Sequence, residues 1–421
     1  MVRERSRAAT LFGVTAASND PEIVRRTQVI DLARSVPLGV ILPLETSVFL
    51  TIAIQHFDAP GLAKGLIAAG SGIGLLGSTV LTAVARRSHR RSMAIASMVI
   101  GAGAIGFALA ATGSLWLYVV GVIVGLAALS MNLPLLTATY ERNFSPLDRG
   151  KRVGRGLSLK VAVSAPLSIL MGAWLADHLE RWWVVVLVGA AAAATLSVLN
   201  RLLPSEPLGS IAGLRAHPWP RFELLREDRR LRIILTAWMF MGFGNLMLLP
   251  LRIEYLAQPQ YGIEANAAMI TLLTVAVPSV MRLLTTTFFG ALFDKMSVFT
   301  IRIVLNTLFI VYVIAFFSGT SMIGLWVGSI TLGLAFAGGD LMWMLWVTKF
   351  APPGRVADYM GMHTFFTGLR AVSAPLFAYL IIEQISLGWI AVLGIALMVL
   401  SSAILTPDAM RDERLRRLAT A

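Results

Sequence analysis

The sequence is cut into twelve apolar stretches of roughly twenty residues, separated by short polar gaps. A helix of that length crosses about 30 Å of hydrocarbon, and inside lipid only helices and closed barrels satisfy every backbone N–H and C=O. Barrel strands would be half as long and would alternate polar with apolar residues, so the stretches predict helices. They are expected over 28–54, 61–85, 92–111, 115–138, 156–179 and 182–203. After a polar connection they resume over 233–256, 267–293, 298–317, 322–347, 359–382 and 387–405. The fold class that follows is an all-α polytopic membrane protein with twelve transmembrane helices.

Composition narrows the function. Hydrophobic residues make up 57% of the 421 and charged residues 14%, with a mean hydropathy of +0.75, beyond what an ordinary soluble domain shows. The formal charge of +13 would suit nucleic acid only on a soluble fold with a basic face. Here the basic residues fill gaps between apolar runs, so nucleic acid is not an expected partner. The absence of cysteine excludes disulfides, thiolate metal sites and cysteine nucleophiles. His56, His89, His178, His217 and His363 are too scattered to predict a metal centre, and no cofactor is expected. No G-x-x-x-x-G-K-[ST] loop is present to support direct ATP drive. Residues 1–27 are polar and mixed in charge, without the apolar core and cleavage site of a removable signal.

Lys and Arg collect in short cytoplasmic loops, which gives orientation. Arg3, Arg5, Arg7, Arg25 and Arg26 precede the first span, Arg86, Arg87, Arg90 and Arg91 follow the second, and Arg142, Arg149, Lys151, Arg152 and Arg155 follow the fourth. Arg215, Arg221, Arg226, Arg229 and Arg230 in the centre, Lys295, Lys349 and Arg355 later, and Arg411, Arg414, Arg416 and Arg417 at the end fall on the same side. The opposite gaps hold only Arg181. Both termini are therefore expected in the cytoplasm of a cell whose inner (plasma) membrane the chain spans. Trp116, Trp182, Trp183, Trp326 and Trp389 fit interfacial anchors near the outer ends.

The second half repeats the first. Leu42-Pro43-Leu44-Glu45 matches Leu249-Pro250-Leu251-Arg252 at an offset of 207, and Thr82 to Arg87 matches Gly290 to Lys295 at 208. Phe144, Pro146 and Arg149 match Phe350, Pro352 and Arg355 at 206, and Val163-Ser164-Ala165-Pro166-Leu167 recurs as Val372-Ser373-Ala374-Pro375-Leu376 at 209. Four matches in order at a nearly constant offset point to duplication. Six spans per half is an even number, so the halves should lie parallel, related by an axis along the membrane normal. The organisation expected is a cytoplasmic segment 1–27, a six-helix half 28–203, a cytoplasmic loop 204–232, a second six-helix half 233–405 and a cytoplasmic tail 406–421.

This pattern resembles the major facilitator superfamily over essentially the whole chain. The family's signature loop, G-x-x-x-D-[RK]-x-G-[RK]-[RK], is matched in the second half by Gly290-Ala291-Leu292-Phe293-Asp294-Lys295. The first-half copy, Thr82 to Arg91, has lost both its glycine and its aspartate but keeps Arg87. The resemblance implies a cytoplasmic latch of Arg87, Gly290, Asp294 and Lys295, with Gly290 allowing close helix approach and Asp294 meeting a helix N-terminus and basic partners. Drug exporters of the family carry an arginine in the fourth helix and a glycine-rich G-x-x-x-G-P-x-x-G-G in the fifth. The fourth span here has no arginine between Leu115 and Ala138, and the fifth has Val161, Ile169 and Leu170 at glycine positions, which counts against a drug or multidrug efflux carrier.

Ionisable groups within a span are costly unless they face a cavity or a partner. Glu45, Arg252, Arg282, Asp340 and Arg370 are the candidates for substrate binding or coupling, with Glu254 as either a candidate or a structural partner. Lys160 can snorkel to the interface, Asp31 with Arg34 reads as a surface pair, and His363 reads as an exposed histidine at the inner end. Asn132 and Asn245 could orient a solute or bond across helices, and Trp343, three residues after Asp340, can share its face. Glu45 and Arg252 occupy equivalent repeat positions and could pair across the halves. The function expected is secondary transport, by alternating access, of a small charged organic solute at a site between the halves. Glu45 and Asp340 are the carboxylates available to carry a proton. The partners are then the solute, protons and the lipid bilayer, and the protein is expected to be a monomer and not an enzyme. The alternatives are a drug exporter and a transport-inactive sensor or assembly protein, the latter suggested by the missing first-half latch residues.

Overall fold

The computed structural model describes residues 20–145, 148–208, 222–352 and 355–420. Pro146 of the repeat, His217, and the basic residues Arg3, Arg5, Arg7, Arg215 and Arg221 lie outside these. Among the described residues, twelve helices are long and apolar enough to cross a membrane. They are α1 (Pro21–Gln55), α2 (Gly61–Arg87), α3 (Ser92–Ala110), α4 (Leu115–Asn143), α5 (Arg149–Asp177), α6 (Leu179–Leu202), α7 (Arg229–Ala257), α8 (Ala267–Phe293), α9 (Val298–Phe317), α10 (Met322–Trp343), α11 (Asp358–Ile381) and α12 (Leu387–Leu415). The chain is a multi-pass membrane protein. An even number of spans returns it to the face it started from, called here the terminal face, opposite the far face.

Capping residues set where several helices start. Asp20 accepts a hydrogen bond from the Glu22 amide at 2.9 Å, and Pro21 fills the first turn, where no N–H is required, so α1 begins before residue 28. Asp228, Asn266 and Ser297 cap α7, α8 and α9 in the same way. α12 runs past residue 405 because Arg230 of α7 grips Asp412 with two contacts of 2.7 and 2.8 Å.

Two helices contain a wide π turn beside a proline, Leu44–Val48 after Pro43 in α1 and Leu272–Ala276 before Pro278 in α8. In α8 the wide turn lies just before Pro278, which lacks an N–H and crowds the turn preceding it. The two π turns abut, with the Thr274 hydroxyl donating to that of Ser47 at 3.0 Å. α4 is interrupted at Asn132, ahead of Pro134, where the Asn132 side-chain amide donates to the Ala128 carbonyl.

The two six-helix halves have the same internal wiring. In the first, α1 packs on α5 and α6, α3 on α4 and α6, and α2 on α4. In the second, α7 packs on α11 and α12, α9 on α10 and α12, and α8 on α10, which is the same set six helices on. Between halves, α2 packs on α11 and α5 on α8, one interface applied twice, as a two-fold axis along the membrane normal requires. Small residues bring these helices close. A Cβ on Gly72 would stand 2.7 Å from the Ala371 carbonyl carbon, and one on Gly172 would stand 1.8 Å from Thr271 Oγ1.

Candidate functional site

Charged side chains from both halves converge where α1, α5, α8 and α10 face each other. Arg282 of α8 pairs with Asp340 of α10, with 20% and 39% of the two side chains exposed, so the pair faces open space. Lys160 of α5, from the other half, feels the charges of Arg282, Asp340 and Glu45. Glu45 lies in the π turn of α1, exposed, and accepts a hydrogen bond from the Ser71 hydroxyl of α2. Two cations and two anions thus surround one space, and neither half supplies them alone.

The far side of this space is closed by contacts between the halves. Lys64 of α2 donates to Glu254 of α7 at 2.6 Å, and its ammonium stands 5.3 Å from the centre of the Tyr379 ring of α11. Gln55 at the end of α1 donates to the Ala265 carbonyl at 3.0 Å. Toward the terminal face, a Cβ added at Gly154, Gly290, Gly339 or Gly361 would meet no described atom within 4 Å. α5, α8, α10 and α11 therefore leave room at these positions. At the end of α2, Arg86 feels the opposite charge of Asp358 at the start of α11.

Of the residues singled out from sequence, Glu45, Arg282 and Asp340 come together and others do not. Arg370 does not line the space. It is 4% exposed in the core of the second half, donating to the Trp238 carbonyl and the Thr367 hydroxyl at 3.0 Å each, because α11 turns it toward α7, where Gly242 leaves room. Arg252 does not pair with Glu45. The π turn that starts right after Pro43 re-aims Glu45, while α7 stays regular past Pro250, so equivalent repeat positions no longer point alike. Arg252 is 2% exposed, near Tyr312, and two of its guanidinium nitrogens have no hydrogen-bond partner.

Asn132 mends its own helix, and Asn245 is buried with its side-chain oxygen unpartnered. Trp343 turns its ring to His363 at 5.6 Å. His363 is fully buried rather than exposed, and Asp31 with Arg34 is a buried pair at 2.9 Å, joined by Tyr140 and Asn200, rather than a surface pair. Of the latch, Arg87 and Lys295 are exposed, no close helix approach occurs at Gly290 among the described residues, and the Asp294 side chain lies outside those described.

The sequence suggests a snorkelling role for Lys160 and gives no role to Lys64, though both are charges inside apolar runs. The signal for Lys64 was its place at the same end of the bundle as Glu254. Neither span boundaries nor repeat offsets could pair them, because the contact is between α2 and α7, which are not repeat equivalents.

A sequence model of the Major Facilitator Superfamily matches residues 38–375. No curated protein sequence matches the chain. Among solved structures, the nucleoside transporter NupG is similar at a TM-score of 0.68 and 13% identity, covering 91% of this chain and 98% of that one. A D-xylose-proton symporter is similar at 0.66 and 14%, covering 91% and 97%. The human organic anion transporter MFSD10 (TETRAN) is similar at 0.62 and 17%, covering 92% and 100%. At these identities the likeness concerns the fold alone. The family model matches well over half of the chain and the twelve-helix architecture agrees with it, so this chain belongs to the Major Facilitator Superfamily.

Proposed function

We propose that the protein is a monomeric secondary carrier for a small zwitterionic or anionic organic solute, moved by alternating access together with a proton. The observation that carries this reading is the mixed-charge space between the halves, with Lys160 and Arg282 set against Glu45 and Asp340. Ionisable groups at membrane depth are retained at high cost, and here they are partly exposed rather than sealed into a packed ion pair. A solute with both charges can replace the interactions these groups make with each other, which links binding to the relative position of the halves.

The excess of Lys and Arg supports a cytoplasmic terminal face. The far-side contacts then make this an outward-closed state, with access from the cytoplasm between α5, α8, α10 and α11. Proteoliposomes test the proposal. A labelled panel should include amino acids and organic anions and cations, with nucleosides and pentoses added because the structural neighbours are named for them. Uptake of a charged member should rise with an imposed proton gradient and vanish in Lys160→Met. No uptake above empty liposomes, with either gradient direction, overturns the reading.

A further inference from the structure

The interior of the second half contains two guanidinium groups that face no carboxylate among the described residues. Arg302 of α9 and Arg370 of α11 are each 4% exposed, and both lie by the indole of Trp238 of α7, their guanidinium carbons 5.1 and 5.9 Å from the ring centre. Arg302 feels the like charge of Arg370, and no carboxylate among the described residues forms an ion pair with either. Only neutral groups hold them. Arg302 donates to Asn306 at 3.0 Å and to the Met241 sulfur at 2.7 Å, and Arg370 donates to the Trp238 carbonyl and the Thr367 hydroxyl. Such acceptors satisfy N–H groups and cancel no charge.

His363 completes the cluster from α11. It is fully buried with its ring centre 4.6 Å from that of Trp238, and it feels both arginines. Neither of its ring nitrogens has a hydrogen-bond partner, and neither does the Trp238 indole nitrogen. The first half shows the balanced version of this place. Trp238 stands at the repeat position of Asp31, offset 207, and Asp31 is the carboxylate that compensates Arg34 there. The second half has lost the carboxylate and holds two arginines.

An uncompensated charge in a protein core costs several kcal/mol, and two like charges together cost more. Arginine cannot shed its proton to escape this. The unfilled donors are the Trp238 indole N–H and the one ring N–H of a neutral His363, and they stand beside two cations, so the species that answers both the donors and the charge is an anion. We propose that Trp238, Arg302, His363 and Arg370 form a binding site for a dehydrated halide-sized anion, separate from the space between the halves. The near-complete enclosure of all four side chains favours a monatomic ion over a larger oxyanion.

The test uses the full chain in nanodiscs, with chloride replaced by gluconate at constant ionic strength. Tm should rise saturably with chloride and with bromide. Trp238→Phe keeps the ring for the arginines and removes the indole donor, and should weaken the apparent chloride affinity about tenfold. Trp389→Phe, at an exposed position, should leave it unchanged. If Trp238→Phe does not fold, His363→Leu takes its place with the same expected loss. Anomalous scattering from bromide should peak within hydrogen-bond reach of the Trp238 indole nitrogen and a His363 ring nitrogen. A wild-type Tm indifferent to chloride, a response equal in the wild type and the variant, or a bromide peak elsewhere only would each overturn the proposal.

Discussion

Lys64 and Glu254 meet across the two halves, the ammonium donating to one carboxylate oxygen at 2.6 Å with only 10% and 5% of the side chains exposed. The other carboxylate oxygen has no partner, and the Tyr379 ring stands beside the ammonium. The pair is therefore desolvated and holds α2 to α7 on the far side. Removing one member of such a pair leaves the other charge buried, at about 3–5 kcal/mol.

That cost falls on the far-closed state alone, so Lys64→Met should shift the population toward far-side opening. Leu376, which packs on Gly65, reports this once changed to cysteine, since the chain has no cysteine of its own. Labelling of Leu376→Cys by an impermeant maleimide from the far side should increase at least tenfold in Lys64→Met. It should fall back in the charge-exchanged Lys64→Glu, Glu254→Lys double variant. Unchanged labelling would remove the pair from gating.

Gly72 tests the close contact of α2 with α11. A Cβ there would stand 2.7 Å from a backbone carbon of Ala371, which no rotamer change can relieve. Gly72→Val should lower stability by about 1–3 kcal/mol, read as a lower Tm. Gly154→Ala, where a Cβ meets no described atom, should keep Tm or raise it, since alanine is the better helix former. Equal effects at both sites would mean that the interface is not tightly packed.

The fold was legible because its signals are long and redundant: each span states its helix by length, and the offsets near 207 repeat the pattern from one half to the other. The site was legible only in part. Glu45, Arg282 and Asp340 are charges in apolar runs, and their meeting follows from lying on helices that face the central space. Arg370 satisfies the same sequence criterion, yet it turns into the core, because helix facing depends on Gly242 on another helix. The Glu45 and Arg252 equivalence failed for a local reason. A π turn shifts the facing of everything after it, and the proline that accompanies it is present in both halves while the π turn follows only one.

The network of Asp31, Arg34, Tyr140 and Asn200 should be structural. Arg34 donates to Asp31 at 2.9 Å and to Tyr140 at 3.1 Å, and Asp31 and Arg34 are each 4% exposed. Asp31→Asn strands the guanidinium and should cost about 3–5 kcal/mol. Tyr140→Phe removes only a hydroxyl and should cost about 1 kcal/mol. Urea midpoints with unchanged slopes measure both, and a Tyr140→Phe loss as large as that of Asp31→Asn would show that charge compensation is not what the carboxylate provides.

The last prediction separates the two carboxylates of the central space. Asp340 is bound in an ion pair with Arg282, and neutralising it strands that arginine at a partly buried site. Among the described residues Glu45 makes one side-chain hydrogen bond, with the Ser71 hydroxyl, and has Lys160 in electrostatic reach, so changing its charge breaks no ion pair at contact distance. If the protein couples solute to protons, Glu45 is the group whose charge can alternate, and Asp340 is the counter-ion that keeps Arg282 in place. Glu45→Gln should then preserve solute exchange between preloaded liposomes and abolish accumulation driven by a proton gradient. Asp340→Asn should abolish both, and Arg282→Gln combined with it should recover part of the exchange, because the stranded charge is gone. Exchange that survives in Asp340→Asn while gradient-driven accumulation survives in Glu45→Gln would reverse the assignment and make Asp340 the coupling group.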